Sequence, residues 1–194
     1  MPCPEKFRES LVEFSVDQAV IAQVDDGYGD ITSKASKKIK AAYFARAIDI
    51  LEQTIPEKLQ SILEWNACCK SGARSKASKA FAKANASLPF DERLSLIPSV
   101  PNMGRPVEND DGSITVYAVS WLDDGRYRCA CPNFNGLKSA PHVSKKYCFC
   151  CAGHFRYHYE IMLDVRLETV EIVSSPLDSE GHDPCVIKFR VLDH

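Results

Sequence analysis

The residues best equipped for chemistry in this chain are its cysteines. Cys129-Ala130-Cys131 is followed by Cys148-Phe149-Cys150-Cys151, then by His154 and His158, with Cys185 near the end. Thiolates and imidazoles are the ligands zinc prefers, and a structural zinc site needs four of them. A Cys-x-Cys pair leaving a strand can put two sulfurs on one ion, and a second set at the start of a helix can complete the shell. The positive end of that helix favours thiolate over thiol, and Lys145 and Lys146 act in the same direction. The bland alternative is that some of these cysteines are small buried apolar residues. Iron–sulfur ligation is the lesser metal reading, because the spacing does not match the common ferredoxin runs. Cys150, His154 and His158 fall on one helix face. For the two histidines a solvent-facing or pocket-lining role is preferred to ligation.

A second cluster is Cys68-Cys69-Lys70-Ser71-Gly72-Ala73-Arg74. Vicinal thiols beside cations can make a reactive thiolate. Equally, the segment reads as a helix C-terminus with Gly72 as its cap and Lys70 complementing the dipole. The enzyme reading makes Cys68 or Cys69 a nucleophile with His154 or His158 as base, in a hydrolase or thiol transfer on a small substrate. A zinc ion with an open position could activate water instead. Lys70, Arg74, Lys76, Lys79 and Lys83 form a basic run without interleaved aromatics, which reads as a solvated helix face rather than a nucleic-acid surface. No phosphate-binding loop, dinucleotide fingerprint or nucleophile elbow is present.

These side chains must be positioned by an N-terminal helical region, 1–97, and a cysteine-rich α/β region, 113–194, joined by a Pro- and Gly-rich linker, 98–112. Together they are expected to form one compact unit. Helical spacing of apolar residues runs from Glu5 to about Val24, from Ser33 to Gln53, and from Pro56 through Trp65 towards Cys69. Shorter helices are expected over 75–86 and 90–97. After the linker the period changes. Ser113 to Leu122 reads as a strand, Asp123-Asp124-Gly125 as a hairpin turn, and Arg126 to Ala130 as the returning strand. Tyr147 to Leu163 reads as a helix, and Arg166 to Ser174 as an alternating strand with Leu167, Val170 and Ile172 as its apolar residues. Cys185 to Leu192 is the last strand.

The 194 residues are 45% hydrophobic and 26% charged, with a formal net charge of −2. That is the balance of a globular chain with no global pull towards nucleic acid or anionic membrane. No run approaches the roughly 18 to 20 apolar residues of a membrane span, and Met1 to Glu13 lacks a signal-peptide core. The expected compartment is the cytoplasm. There, nine cysteines point to metal binding or catalysis rather than to a disulfide framework.

The stretch from Cys148 to Val191 resembles the 4-vinyl-reductase domain family, which includes the effector-binding modules of phenol-responsive bacterial activators. The resemblance rests on Cys148 opening a helix, Gly153 five residues later, Glu171 in the next strand, and Gly181-His182-Asp183-Pro184-Cys185 before the last strand. It implies an α+β fold like that of TRAPP vesicle-trafficking subunits, with a helical N-terminal half packed on a small, mostly antiparallel sheet. It implies Cys148, Glu171 and Cys185 as zinc ligands beside a pocket for a small molecule, and pairing into a homodimer. The family's middle cysteine falls on Ser174 here, so Cys129, Cys131, Cys150 or Cys151 would have to replace it. Tyr117, Trp121, Phe155 and Tyr159 are the expected pocket lining. The leading expectation is a small-molecule-binding or sensing domain braced by zinc.

Overall fold

The computed structural model describes residues 2–67 and 70–193. Helix α1 (Pro4–Glu13) starts on a proline, whose missing N–H costs nothing in a first turn, and buries Phe7 and Leu11. The apolar pattern continues to Val24, but the chain does not stay helical. Ser15 adopts a left-handed φ of 50°, and Asp17 then caps α2 (Gln18–Asp25) by accepting from the Ala19 N–H at 2.7 Å. The expected single helix is therefore two. Ser36 caps α3 (Lys37–Thr54), and Pro56 opens α4 (Pro56–Trp65). Gly72 is not a C-cap: α4 has already ended at Trp65, and Gly72 stands first in α5 (Gly72–Ala84). A short α6 (Phe90–Leu96) follows.

The fold is α+β. Strands β1 (Arg105–Glu108), β2 (Ile114–Tyr117), β5 (Arg166–Ser174) and β6 (Val186–Asp193) form an antiparallel sheet in the order β1-β2-β6-β5. The linker expected over 98–112 thus contains an edge strand, where Pro106 is tolerated because an outward N–H is not needed. The strand expected over 113–122 divides. β2 follows β6 only as far as Tyr117 opposite Val186, and the Ala118 N–H then donates to the Cys185 carbonyl at 2.9 Å. Past that point the partner strand has ended. The chain leaves the sheet and forms a separate ribbon, β3 (Ser120–Asp123) with β4 (Arg126–Cys129).

The Cys148–Leu163 region supplies the centre of the molecule. A 3-10 turn, Lys145–Cys148, leads into α7 (Phe149–Leu163), which is buried along most of its length. One side of α7 lies on β5 and the opposite side receives α4 and α5. Two apolar cores meet along it. The first is aromatic: Phe7, Tyr43, Phe44, Phe134 and Tyr147 make edge-on and tilted contacts at centroid distances of 5.2–6.3 Å. The second packs Phe155, Tyr159 and Met162 onto Ile114, Ile172, Ile187 and Phe189 of the sheet. Gly153 is where α7 and α4 touch. A Cβ there would lie 2.9 Å from Ala67 Cβ and 3.0 Å from the Glu64 carbonyl oxygen. The same contact is held by Arg156, whose guanidinium meets Glu64 at 2.7 Å.

Substituting Gly153→Val should therefore force α4 and α7 apart and destabilise the fold by about 1–3 kcal/mol, the usual range for overpacking. Urea unfolding of the variant measures this. An unchanged midpoint would mean that the helix approach does not depend on the missing side chain.

Candidate functional site

The cavity of interest, about 230 Å³ in volume, lies at the N-terminal end of α7. Six cysteines line it: Cys129, Cys131, Cys148, Cys150, Cys151 and Cys185. Three separate parts of the chain bring them there. β4 ends on Cys129, and the turn after it presents Cys131. The first turn of α7 carries Cys148, Cys150 and Cys151, and Cys185 immediately precedes β6. The closing loop is held by Gly181, whose φ is +87° and whose carbonyl accepts from the Tyr127 N–H at 2.8 Å. A Cβ there would come within 3.0 Å of the Tyr127 oxygen, so glycine lets the loop lie against β4.

The sulfurs interact with one another and with fixed donors. The Cys131 N–H points to Cys129 Sγ at 3.4 Å, and Cys131 Sγ lies 3.6 Å from the Tyr147 hydroxyl. That hydroxyl also accepts from Asn133 Nδ2 at 3.0 Å. Cys148 Sγ lies 3.3 Å from Ser175 Oγ. Burial pushes the Cys131 thiol up to about 12, with the charges of Cys151 and Cys129 adding to the effect. Cys148 is pushed well up by the same burial and by Cys151 and Cys129. Cys150 and Cys185 are raised first by hydrogen bonds to Cys151 and Cys129 respectively, then by burial. Cys151 moves the other way, chiefly because Cys150 donates to it, and the Arg74 charge helps. Cys131, Cys148, Cys150 and Cys185 thus hold their protons, a preference that a bound metal ion would reverse.

Ser174 lines the cavity, but its hydroxyl donates to the Pro184 carbonyl at 2.7 Å. Glu171 is not brought to the sulfurs. A bulge in β5 between Thr169 and Glu171 shifts the alternation, so that Val170 and Glu171 are both exposed while Thr169 and Ile172 face inward. Glu171 sits opposite Lys188 on the outer surface. Val170 is consequently not on the buried face where simple alternation puts it.

Both histidines are buried, which removes the solvent-facing alternative. His154 lines the cavity, and His158 packs behind it with ring centroids 4.6 Å apart. His158 Nδ1 and Ser78 Oγ are 2.6 Å apart, and the same hydroxyl lies 3.0 Å from the Arg74 carbonyl. Burial, His158 and Arg74 hold His154 down to about 3, so its imidazole is neutral near neutral pH and a weak proton acceptor. Cys68 and Cys69, the nucleophiles of the enzyme reading, lie outside the described residues. Of the expected aromatic lining only Phe155 borders the cavity. Tyr117 and Trp121 are exposed, while Tyr159 is fully buried and donates to the Met103 carbonyl at 2.7 Å.

Arg74 and Asn102 line the cavity without having been singled out for it in the sequence. The signal for Arg74 was helix phase. Ser75, Ser78 and Phe81 are the buried side of α5, and Arg74 borders it, whereas Lys76, Lys79 and Lys83 are exposed. The basic run is therefore a solvated face with one member turned inward. Among the described residues, no three His, Cys, Asp or Glu side chains stand at metal-ligand positions as placed. No helix of the described residues is long and apolar enough to cross a membrane. Compared with family models, curated proteins and solved structures, the chain matches none of them.

His154 makes a signed pH prediction. Its pKa falls from 6.5 unfolded to about 3 folded. Between those values the unfolded chain binds the extra proton, so the stability it confers is complete above 6.5 and is lost as pH falls towards 3. Replacing His154→Gln should flatten the acid side of the stability profile, by a few kcal/mol to order of magnitude. Urea midpoints measured across that window test it, and an equally steep loss in the variant would assign acid sensitivity to other groups.

Proposed function

We propose that this chain is a small-molecule-binding or sensing protein whose cavity is braced by a thiolate-bound zinc ion. The observation that carries the reading is the convergence of six cysteines on one partly apolar cavity. Sulfur donors select zinc and other soft ions. The Cys131 N–H at Cys129 and the Tyr147 hydroxyl at Cys131 are of the kind of donor that stabilises coordinated thiolates. Cys129, Cys148 and Cys185 would hold the ion, and Cys131 or Cys151 would supply the fourth sulfur after small side-chain rotations. Zinc bound this way supplies structural cross-linking: it ties the ribbon, α7 and the β6 entry together around the pocket. The resemblance of 148–191 to the sensor modules of the 4-vinyl-reductase family supports the same reading, and that resemblance also implies a homodimer. Glu171 is left out of the proposed ligand set because it faces away.

Protein produced without a metal-affinity tag should carry about one zinc per chain by elemental analysis. Cys148→Ser and Cys185→Ser should each lose most of it and lower the thermal midpoint by roughly 5 °C or more. Metal-free protein together with fully stable variants would sink the proposal.

A further inference from the structure

The cavity carries a charge that a zinc site does not need. Arg74, in the first turn of α5, points its guanidinium into the cavity and reaches His154 Nε2 at 3.4 Å. Two other cations beside α7, Arg156 and Lys146, are paired with carboxylates, Glu64 and Glu52 respectively. No Asp or Glu is among the residues lining this cavity. A half-buried guanidinium with no carboxylate beside it in the lining favours the entry of an anion. The N-terminal turn of α7 opens on the same space and adds positive potential. The facing wall is hydrocarbon, from Val119, Phe155, Ile172 and Ile187, with the Asn102 amide at the rim.

We propose that this cavity binds a small monocarboxylic acid, its carboxylate held by Arg74 and its apolar body seated against Val119, Phe155 and Ile187. The inference rests on the ligand-binding reading above and names the ligand class. A guanidinium offers a planar pair of N–H donors that match a carboxylate. One fixed positive charge balances one negative charge. A phosphate dianion would bring a second negative charge, for which the described lining offers no second Lys or Arg. The volume, about 230 Å³, suits a ligand of benzoate size.

Titration calorimetry on the full-length, zinc-loaded protein tests this with benzoate, its neutral isostere benzamide, and phenyl phosphate. Benzoate should bind at least tenfold more tightly than either, and Arg74→Gln should abolish that preference while Arg74→Lys retains part of it. Equal binding of benzamide and benzoate overturns the carboxylate inference but leaves the ligand-binding reading standing. So does benzoate affinity that survives in R74Q, since Arg74 would then be a counter-ion to the thiolates alone. Tighter binding of phenyl phosphate overturns it in favour of a phosphate ligand. No saturable binding of any probe at millimolar concentration overturns both readings. If R74Q does not fold, the comparison of benzoate with benzamide on the unaltered protein decides the matter.

Discussion

Placing several thiols side by side out of water is the constraint around which this molecule is built. Cys150 belongs to the aromatic core and Cys148 to the sheet core, while Phe149 and Cys151 pack against both. The first turn of α7 is thus the seam between the two halves of the fold, and it carries sulfurs beside Phe149. Uncharged, these thiols are adequate filler. Deprotonated without a cation they repel one another in a poorly solvated space, as the raised thiols of Cys131 and Cys148 reflect. Under the proposed reading, a soft metal ion would convert the same arrangement into a cross-link between distant parts of the chain.

The fold explains the neighbouring residues on the same basis. Gly153 lets α4 approach α7, which brings α5 alongside and turns Arg74 towards the sulfurs. Gly181 lets the closing loop lie on β4, which places Cys185 beside Cys129. Ser174 anchors that loop through the Pro184 carbonyl. Each of these residues acts on the site through the backbone it permits or fixes.

Much of this was legible in the sequence because it is local. Pro56 marks a helix start through its own backbone chemistry, and the strands around residues 166–174 and 185–192 show in composition and alternation. The convergence of the C-terminal cysteines was legible from residue type and spacing. The remainder depends on partners far along the chain. The break at Ser15 is hidden by an unbroken apolar pattern, and the division of the 113–122 strand is set by where β6 begins. Pro106 disguised an edge strand as a linker. Exposure of Glu171 follows from a bulge against β6 that no local pattern announces, and its carboxylate is accordingly on the wrong side of the sheet to meet the sulfurs. Arg74 looked like one of several solvated cations until the phase of α5 separated it from Lys76 and Lys79.

The central claim is that these cysteines bind a metal ion as a group. Zinc-edge X-ray absorption on the protein as purified addresses it most directly, because it reports the atoms bound to the ion whatever the ligand of the cavity. A first shell of sulfur at about 2.3 Å, in tetrahedral number, is the expected result. A shell of nitrogen and oxygen at about 2.0–2.1 Å would contradict the account.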